Sequence, residues 1–298
     1  MNHNLKRRTL LKSLALGTGA LGMGGMFTSF SALSDQDEKV VASHPAGNIK
    51  HSVCRWPYID IPLDEFAASC VELGISGMDL LRPSEWEVAQ KHGLEVSMGT
   101  AEFAVIEHGF NDPSLHNDLQ KNYRGLIDQA SANGVKNIIC FSGNKRKLDA
   151  KTGIRNCAQG LIPLLDYAAE KDVVMVMELL NSKVNHPDYQ CDHTEWGVAL
   201  ADEMGKSNFK LLYDIYHMQI MEGDVIATIR KYHQYINHYH TGGVPGRHEI
   251  NETQELFYPA IMRAIVETGF EGFVAQEFIP TYENKITALK EGIKICDV

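Results

Sequence analysis

The six cysteines, Cys54, Cys70, Cys140, Cys157, Cys191 and Cys296, form no CxxC pair and no zinc-finger spacing. That excludes a clustered structural zinc and a dithiol redox motif. No GxGxxG and no GxxxxGK[ST] follows the first strand-like segment, so the nucleotide-binding α/β folds lack their fingerprint. Basic residues are in deficit, 28 Lys and Arg against 38 Asp and Glu, for a formal charge of −10. A chain with that balance is a poor partner for nucleic acid. No linker-like stretch interrupts the sequence after residue 48, which leaves no internal domain boundary. What remains is ordinary globular composition, 44% hydrophobic and 22% charged over 298 residues, enough for a sizeable core.

The first residues read differently from the rest. Lys6-Arg7-Arg8-Thr9-Leu10-Leu11-Lys12 is basic, and it leads into an uncharged run, Ser13–Phe30, rich in Leu, Ala, Gly and Met. Small residues follow at Ser31 and Ala32. This is the order of an export signal, and the paired arginines resemble a twin-arginine (Tat) signal. Residues 1–33 are therefore expected to be a cleavable signal peptide that engages the Tat export machinery and directs the protein to the periplasm. The glycines of the run disfavour a stable helix, so no membrane span is expected after cleavage. Loss of this segment removes four basic residues and no acidic ones, taking the formal charge down by four to −14. Tat cargo folds before export in a reducing compartment, so the six thiols are expected to be free. Residues 34–47 are polar and aperiodic and read as a tether, leaving 48–298 for the fold.

From Asn48 onward the chain alternates apolar, β-branched runs with amphipathic segments. The strand-like runs are 49–55, 75–81, 94–99, 135–141, 173–178, 209–214, 235–240 and 272–277. Helix signals lie between them: Ser84 and Glu87 at capping-box spacing, Asp112-Pro113 as a helix entry, Asp192 as a cap, and Gly74, Gly93, Gly134 and Gly205 as stops. Eight strand–helix units in about 250 residues predict an α/β protein with a single (β/α)8 TIM barrel.

Four consecutive runs end in a charged or metal-ligating side chain: Glu178, Asp214, His240 and Glu277. In a barrel of this kind chemistry sits at the C-terminal ends of the strands. Alternation places Val174 and Val176 on the face of Glu178, Leu212 with Asp214, and Ala275 with Glu277, as expected of inward-facing positions. Three buried carboxylates repel one another unless a cation neutralises them. Three oxygen donors and one nitrogen suit a single Mn²⁺ or Mg²⁺, with Co²⁺ or Zn²⁺ as alternatives. His238, two residues before His240, reads as a core or supporting histidine. Arg55, Trp56, Glu102 and His108 fall on strand-end loops as weaker candidates for the pocket lining.

The pieces Glu178-Leu179-Leu180-Asn181, Tyr213-Asp214-Ile215-Tyr216-His217-Met218-Gln219, His238-Tyr239-His240, Pro245-Gly246-Arg247-His248-Glu249 and Gln276-Glu277-Phe278-Ile279-Pro280 resemble the xylose isomerase-like TIM-barrel superfamily of sugar isomerases and epimerases. Hydroxypyruvate isomerase-like proteins are the nearest type. The resemblance implies that Glu178, Asp214, His240 and Glu277 ligate the metal, that His217 and Arg247 bind substrate, and that Glu178 and Glu277 exchange protons. Proton transfer would run through a cis-enediolate held on the metal. Hydroxypyruvate isomerases tend to carry Gln where this chain has His240, whereas ketose epimerases of the superfamily carry His. The loop after the fifth strand, with Lys183, His186 and Tyr189, is also distinctive. The implied activity is isomerisation or epimerisation of a small sugar or keto acid. The alternatives are a lyase or dehydratase acting on keto-sugars or inososes, and a non-catalytic exported sugar-binding barrel. Self-association into a homo-oligomer stays open.

Overall fold

The computed structural model describes residues 47–298. The expected signal peptide and nearly all of the expected tether lie outside the described residues. Eight parallel strands close into a barrel in chain order: β1 Lys50–Cys54, β2 Gly77–Leu81, β3 Glu95–Gly99, β4 Asn137–Cys140, β5 Val174–Glu178, β6 Phe209–Asp214, β7 Ile236–Thr241 and β8 Phe273–Gln276. The helices around it are α1 Leu63–Glu72, α2 Pro83–Lys91, α3 His116–Ala132, α4 Ala150–Glu170, α5 Thr194–Met204, α6 Ile215–Met221, α7 Val225–Tyr232, α8 Tyr258–Glu267 and α9 Lys285–Cys296. Among the described residues no helix is long and apolar enough to cross a membrane. The predicted (β/α)8 barrel is the observed fold.

The strands form because each is β-branched or apolar and buried on both faces, as a parallel sheet under helices requires. Ile138, Ile139, Met175, Val176, Leu211, Leu212, Tyr239 and Val274 are fully buried, each worth roughly 1.5–3 kcal/mol of apolar burial. The lumen narrows around Gly77, where an added Cβ would stand 2.7 Å from the Phe273 ring and 3.1 Å from Ser52. All six cysteines are buried and unpaired, and burial holds the Cys70 and Cys296 thiols up at about 12.

Two local expectations are corrected, and one element is new. The second helix does not use the Ser84–Glu87 box: it starts at Pro83, and Glu85 Oε2 accepts the Arg82 N–H at 2.9 Å. Proline at the first helical position keeps the residue before it extended, which moves the cap to Arg82. Asp192 does not cap α5. Its carboxylate takes Ser182 Oγ at 2.5 Å and lies 2.7 Å from His193 Nδ1, while Glu222 reaches over to accept from the Thr194 hydroxyl at 2.9 Å. Finally, α6 begins immediately after β6, a short helix that the sequence pattern did not predict.

Candidate metal centre and active site

Glu178, Asp214, His240 and Glu277 converge at the C-terminal mouth, each offering a ligand atom within 4.8 Å of the others. Strand register explains how. Glu178 pairs with Leu212, Asp214 with His240, and His240 with Ala275. Asp214 therefore stands two residues above the level of Glu178, and Glu277 two above that of His240. Such stagger is what strand tilt in a closed barrel produces. All four are buried, none more than 4% exposed.

The side chains of Glu178, Asp214 and His240 are held so that one atom of each is left over. Asp214 is the N-cap of α6, and its Oδ1 accepts the His217 N–H at 2.8 Å. That fixes its rotamer and leaves Oδ2 without a partner. The Tyr189 hydroxyl donates to the Glu178 carbonyl at 3.0 Å and accepts from Ser142 N–H at 3.1 Å, tying the end of β5 to the β4 loop. Glu178 Oε1 and His240 Nδ1 also lack hydrogen-bond partners. His240 Nδ1 lies 3.2 Å from Glu178 Oε1, 3.0 Å from Glu277 Oε2 and 4.0 Å from Asp214 Oδ2.

The electrostatics of this cluster ask for a cation. Burial pushes the Glu178 carboxyl above its usual range, and burial with the charge of Glu277 pushes Asp214 well above its own. Burial opposes the charge of Glu277 too, but Arg247 and His240 outweigh it and hold that carboxyl well below. Burial also opposes a charged His240, yet Cys54, Glu277 and Asp79 around it raise its pKa well above the imidazole norm. Three orphaned, dry ligand atoms of oxygen and nitrogen type fit a divalent ion, which would relieve the repulsion outright.

His217 and Arg247 border the same point. Asn181 gives His217 Nδ1 two donors, its backbone N–H at 3.1 Å and its side-chain amide at 2.6 Å. The single proton of a neutral imidazole is then on Nε2, which has no partner and sits 3.7 Å from Asp214 Oδ2. Burial and the Arg247 charge hold the His217 pKa well below normal, so this ring is a neutral donor. Arg247, at φ +61°, places Nη2 2.5 Å from Glu277 Oε2 and 3.7 Å from Asp214 Oδ2. Its guanidinium lies over the rings of Trp56 and Tyr216, at 5.1 and 5.5 Å.

Of the weaker candidates, only Trp56 joins the cluster: its Nε1–H donates to Glu277 Oε1 at 2.9 Å. Both oxygens of Glu277 are thus held, Oε1 by Trp56 and Oε2 by Arg247. Arg55 instead turns to the carbonyls of Tyr58 and Ile61. Glu102 is exposed and pairs with Arg82 at 3.4 Å, and His108 is exposed. In the loop after β5, Lys183 clamps the end of α6 through the Ile220 and Met221 carbonyls, both at 2.9 Å. His186 stands beside His217, ring centroids 5.3 Å apart. One residue escaped sequence reasoning altogether. Asp79, in the middle of β2 and fully buried, places Oδ1 3.1 Å from His240 Nε2 and Oδ2 2.6 Å from His238 Nε2. The only sequence signal for it is an acid interrupting the apolar run Met78-Asp79-Leu80-Leu81.

Comparison with known proteins adds the following. Residues 41–297 match the family described as Xylose isomerase-like TIM barrel. The chain is 27% identical to the 2-oxo-tetronate isomerase of Cupriavidus necator over 73% of its length and 87% of that protein. It is 27% identical to the hydroxypyruvate isomerase of Escherichia coli over 72% of its length and 86% of that protein. A human relative aligns at 32% identity over 38% of this chain and only 40% of its own length. Among solved structures, an AP endonuclease of family 2 from Brucella melitensis superposes with a TM-score of 0.73 at 23% identity, covering 81% of this chain and 97% of that one. At that identity the likeness speaks for the fold alone.

Proposed function

The chain belongs to the xylose isomerase-like TIM-barrel family, and we propose that it is a divalent-metal-dependent isomerase of a small hydroxy-keto acid or sugar. The observation that carries this reading is the convergence of Glu178, Asp214, His240 and Glu277 on one buried point, with three ligand atoms left unpartnered. The relatives named as hydroxypyruvate and 2-oxo-tetronate isomerases support the substrate class. These four residues would hold the ion, Mn²⁺ or Mg²⁺ by their hard donors, with Co²⁺ or Zn²⁺ as alternatives. When bound, such an ion supplies Lewis-acid polarisation of a substrate carbonyl and the adjacent hydroxyl.

The protein's own groups do the rest. A carboxylate oxygen of one glutamate, Glu178 or Glu277, takes the proton from the carbon beside the carbonyl. The carboxyl of the other returns a proton to the neighbouring carbon, and the proton of the substrate hydroxyl passes to the former carbonyl oxygen, so that carbonyl and hydroxyl have exchanged places. His217 Nε2–H donates to a substrate oxygen without bringing a charge. Arg247 holds Glu277 in place and presents a buried, unpartnered Nε–H toward substrate oxygens. The Trp56 and Tyr216 rings both lie against that guanidinium and help hold it.

Solvent deuterium incorporation into hydroxypyruvate and into small ketoses, followed by NMR with Mn²⁺ and after chelation, tests the reading. Exchange with formation of the isomer, abolished by chelation, is the expected result. No exchange into any of these compounds by the metal-loaded protein would sink it. Exchange accompanied by loss of a substituent would instead favour the lyase or dehydratase. We also propose that residues 1–33 direct Tat-dependent export to the periplasm. N-terminal sequencing of the protein recovered from that compartment should find this segment gone, and an intact Met1 there would refute its cleavage.

A further inference from the structure

Asp79 does nothing in the reaction just described, yet the fold goes to some trouble over it. It is fully buried in the lumen, and the strand carrying it is irregular on both sides. Between β2 and β3, Met78 pairs with Val96 but Asp79 with Met98, which skips Ser97, and Leu81 then pairs with Gly99, which skips Leu80. Leu80 adopts φ +55°, a region unfavourable for a branched side chain. Irregularities of this kind re-aim a side chain. From here the carboxylate spans the lumen to β7, although β1 and β8 lie between the two strands in the sheet.

Every contact of this carboxylate is to a donor. Ser97 Oγ donates to Oδ2 at 2.9 Å, and His238 Nε2 is 2.6 Å from the same oxygen. Oδ1 faces His240 Nε2 at 3.1 Å and Cys54 Sγ at 3.7 Å. A carboxylate accepts and never donates, so His240 must carry its proton on Nε2. Nδ1 is thereby the nitrogen turned toward Glu178, Asp214 and Glu277, and it would offer its lone pair once an ion takes the place of a second proton there. Resting on the metal reading above, we propose that Asp79 is the positioning residue of the metal centre: it sets the tautomer and ring plane of His240, with Ser97 and His238 fixing Asp79 in turn. Carboxylate support behind a ligating imidazole is commonly worth ten- to a hundredfold in metal affinity.

The test measures Mn²⁺ affinity by calorimetry and the Co²⁺ visible spectrum, on the wild-type chain and on Asp79→Ala, Asp79→Asn and Ser97→Ala. Asp79→Ala should weaken Mn²⁺ binding about 10–100-fold and alter the Co²⁺ bands. Asp79→Asn keeps a carbonyl acceptor for Nε2–H and should recover most of the affinity. Ser97→Ala, the mildest change to the fold, should cost a few-fold. Wild-type affinity and an unchanged Co²⁺ spectrum in folded Asp79→Asn, Asp79→Ala and Ser97→Ala chains would overturn the inference and leave the metal reading standing. A wild-type chain that binds no Mn²⁺ would overturn both. Two ions per wild-type chain, one of them lost in Asp79→Ala, would overturn it differently, by making Asp79 a ligand.

Discussion

The two halves of the barrel are built on different plans. Strands β5 to β8 lead into Glu178, Asp214, His240 and Glu277, whereas β1 to β4 end in Cys54, Leu81, Gly99 and Cys140. The second half carries the four convergent groups, and the first half adds partners that reach them across the lumen. Trp56, just beyond β1, pins one oxygen of Glu277, and Asp79, inside β2, backs His240 from the opposite wall. The acids of the second half draw some of their partners from their own side, Arg247 and the His217 N–H, and others from across the lumen. A closed barrel is the arrangement that brings Trp56 and Asp79 there.

The sharpest way to break this contrast is to remove a proton-transfer group from the charged half. Glu178→Gln keeps the size and one oxygen but abolishes exchange of a proton at that atom. Turnover, read as solvent deuterium wash-in, should fall roughly 10²–10⁴-fold. A variant with near-normal turnover would end the two-glutamate scheme.

Next comes a comparison of buried imidazoles. His240 in β7 is ringed by acids, while His51 in β1 is buried with neither ring nitrogen hydrogen-bonded. Burial, partly offset by Asp297, lowers the His51 pKa from 6.5 to about 4. Between those values the unfolded chain binds a proton that the folded one refuses. Stability contributed by the neutral ring is therefore present above about pH 6.5, is lost as pH falls toward 4, and changes no further below that. The span is worth roughly 3 kcal/mol. His51→Leu should flatten this part of the acid limb in urea titrations at several pH values. An unchanged slope would show that His51 has no share in it.

The smallest effect expected is at Trp56. Trp56→Phe retains an aromatic face for Arg247 and loses only the hydrogen bond to Glu277 Oε1. A hydrogen bond to a charged group is worth about 1.5–3 kcal/mol, so kcat should drop roughly 10- to 150-fold, with KM nearly unchanged. If KM alone moved, Trp56 would be a substrate wall and not a support for Glu277.

The charged half was legible in the sequence, since a strand that stops at an acid or histidine four times running is a repeated signal. His217 and Arg247 were named through the residues around them, and both border the cluster, where Arg247 spends its Nη2 donor on Glu277. The supporting half was not legible. Asp79 meets His240 across 161 positions of chain, and no local spacing encodes such a pair. The helix α6 was missed because seven residues are too few for a helical period to declare itself.

By itself the sequence determined the alternation of eight strand–helix units, the closed barrel, and the four groups on consecutive strand ends. Those features follow from short-range pattern, because side-chain direction in a strand repeats every two residues. The tertiary structure alone decided the stagger and register that bring the four groups to one point, and the tautomer that Asp79 imposes on His240. Each depends on atoms from strands far apart in the chain meeting within hydrogen-bond distance, and only closure of the barrel sets those distances.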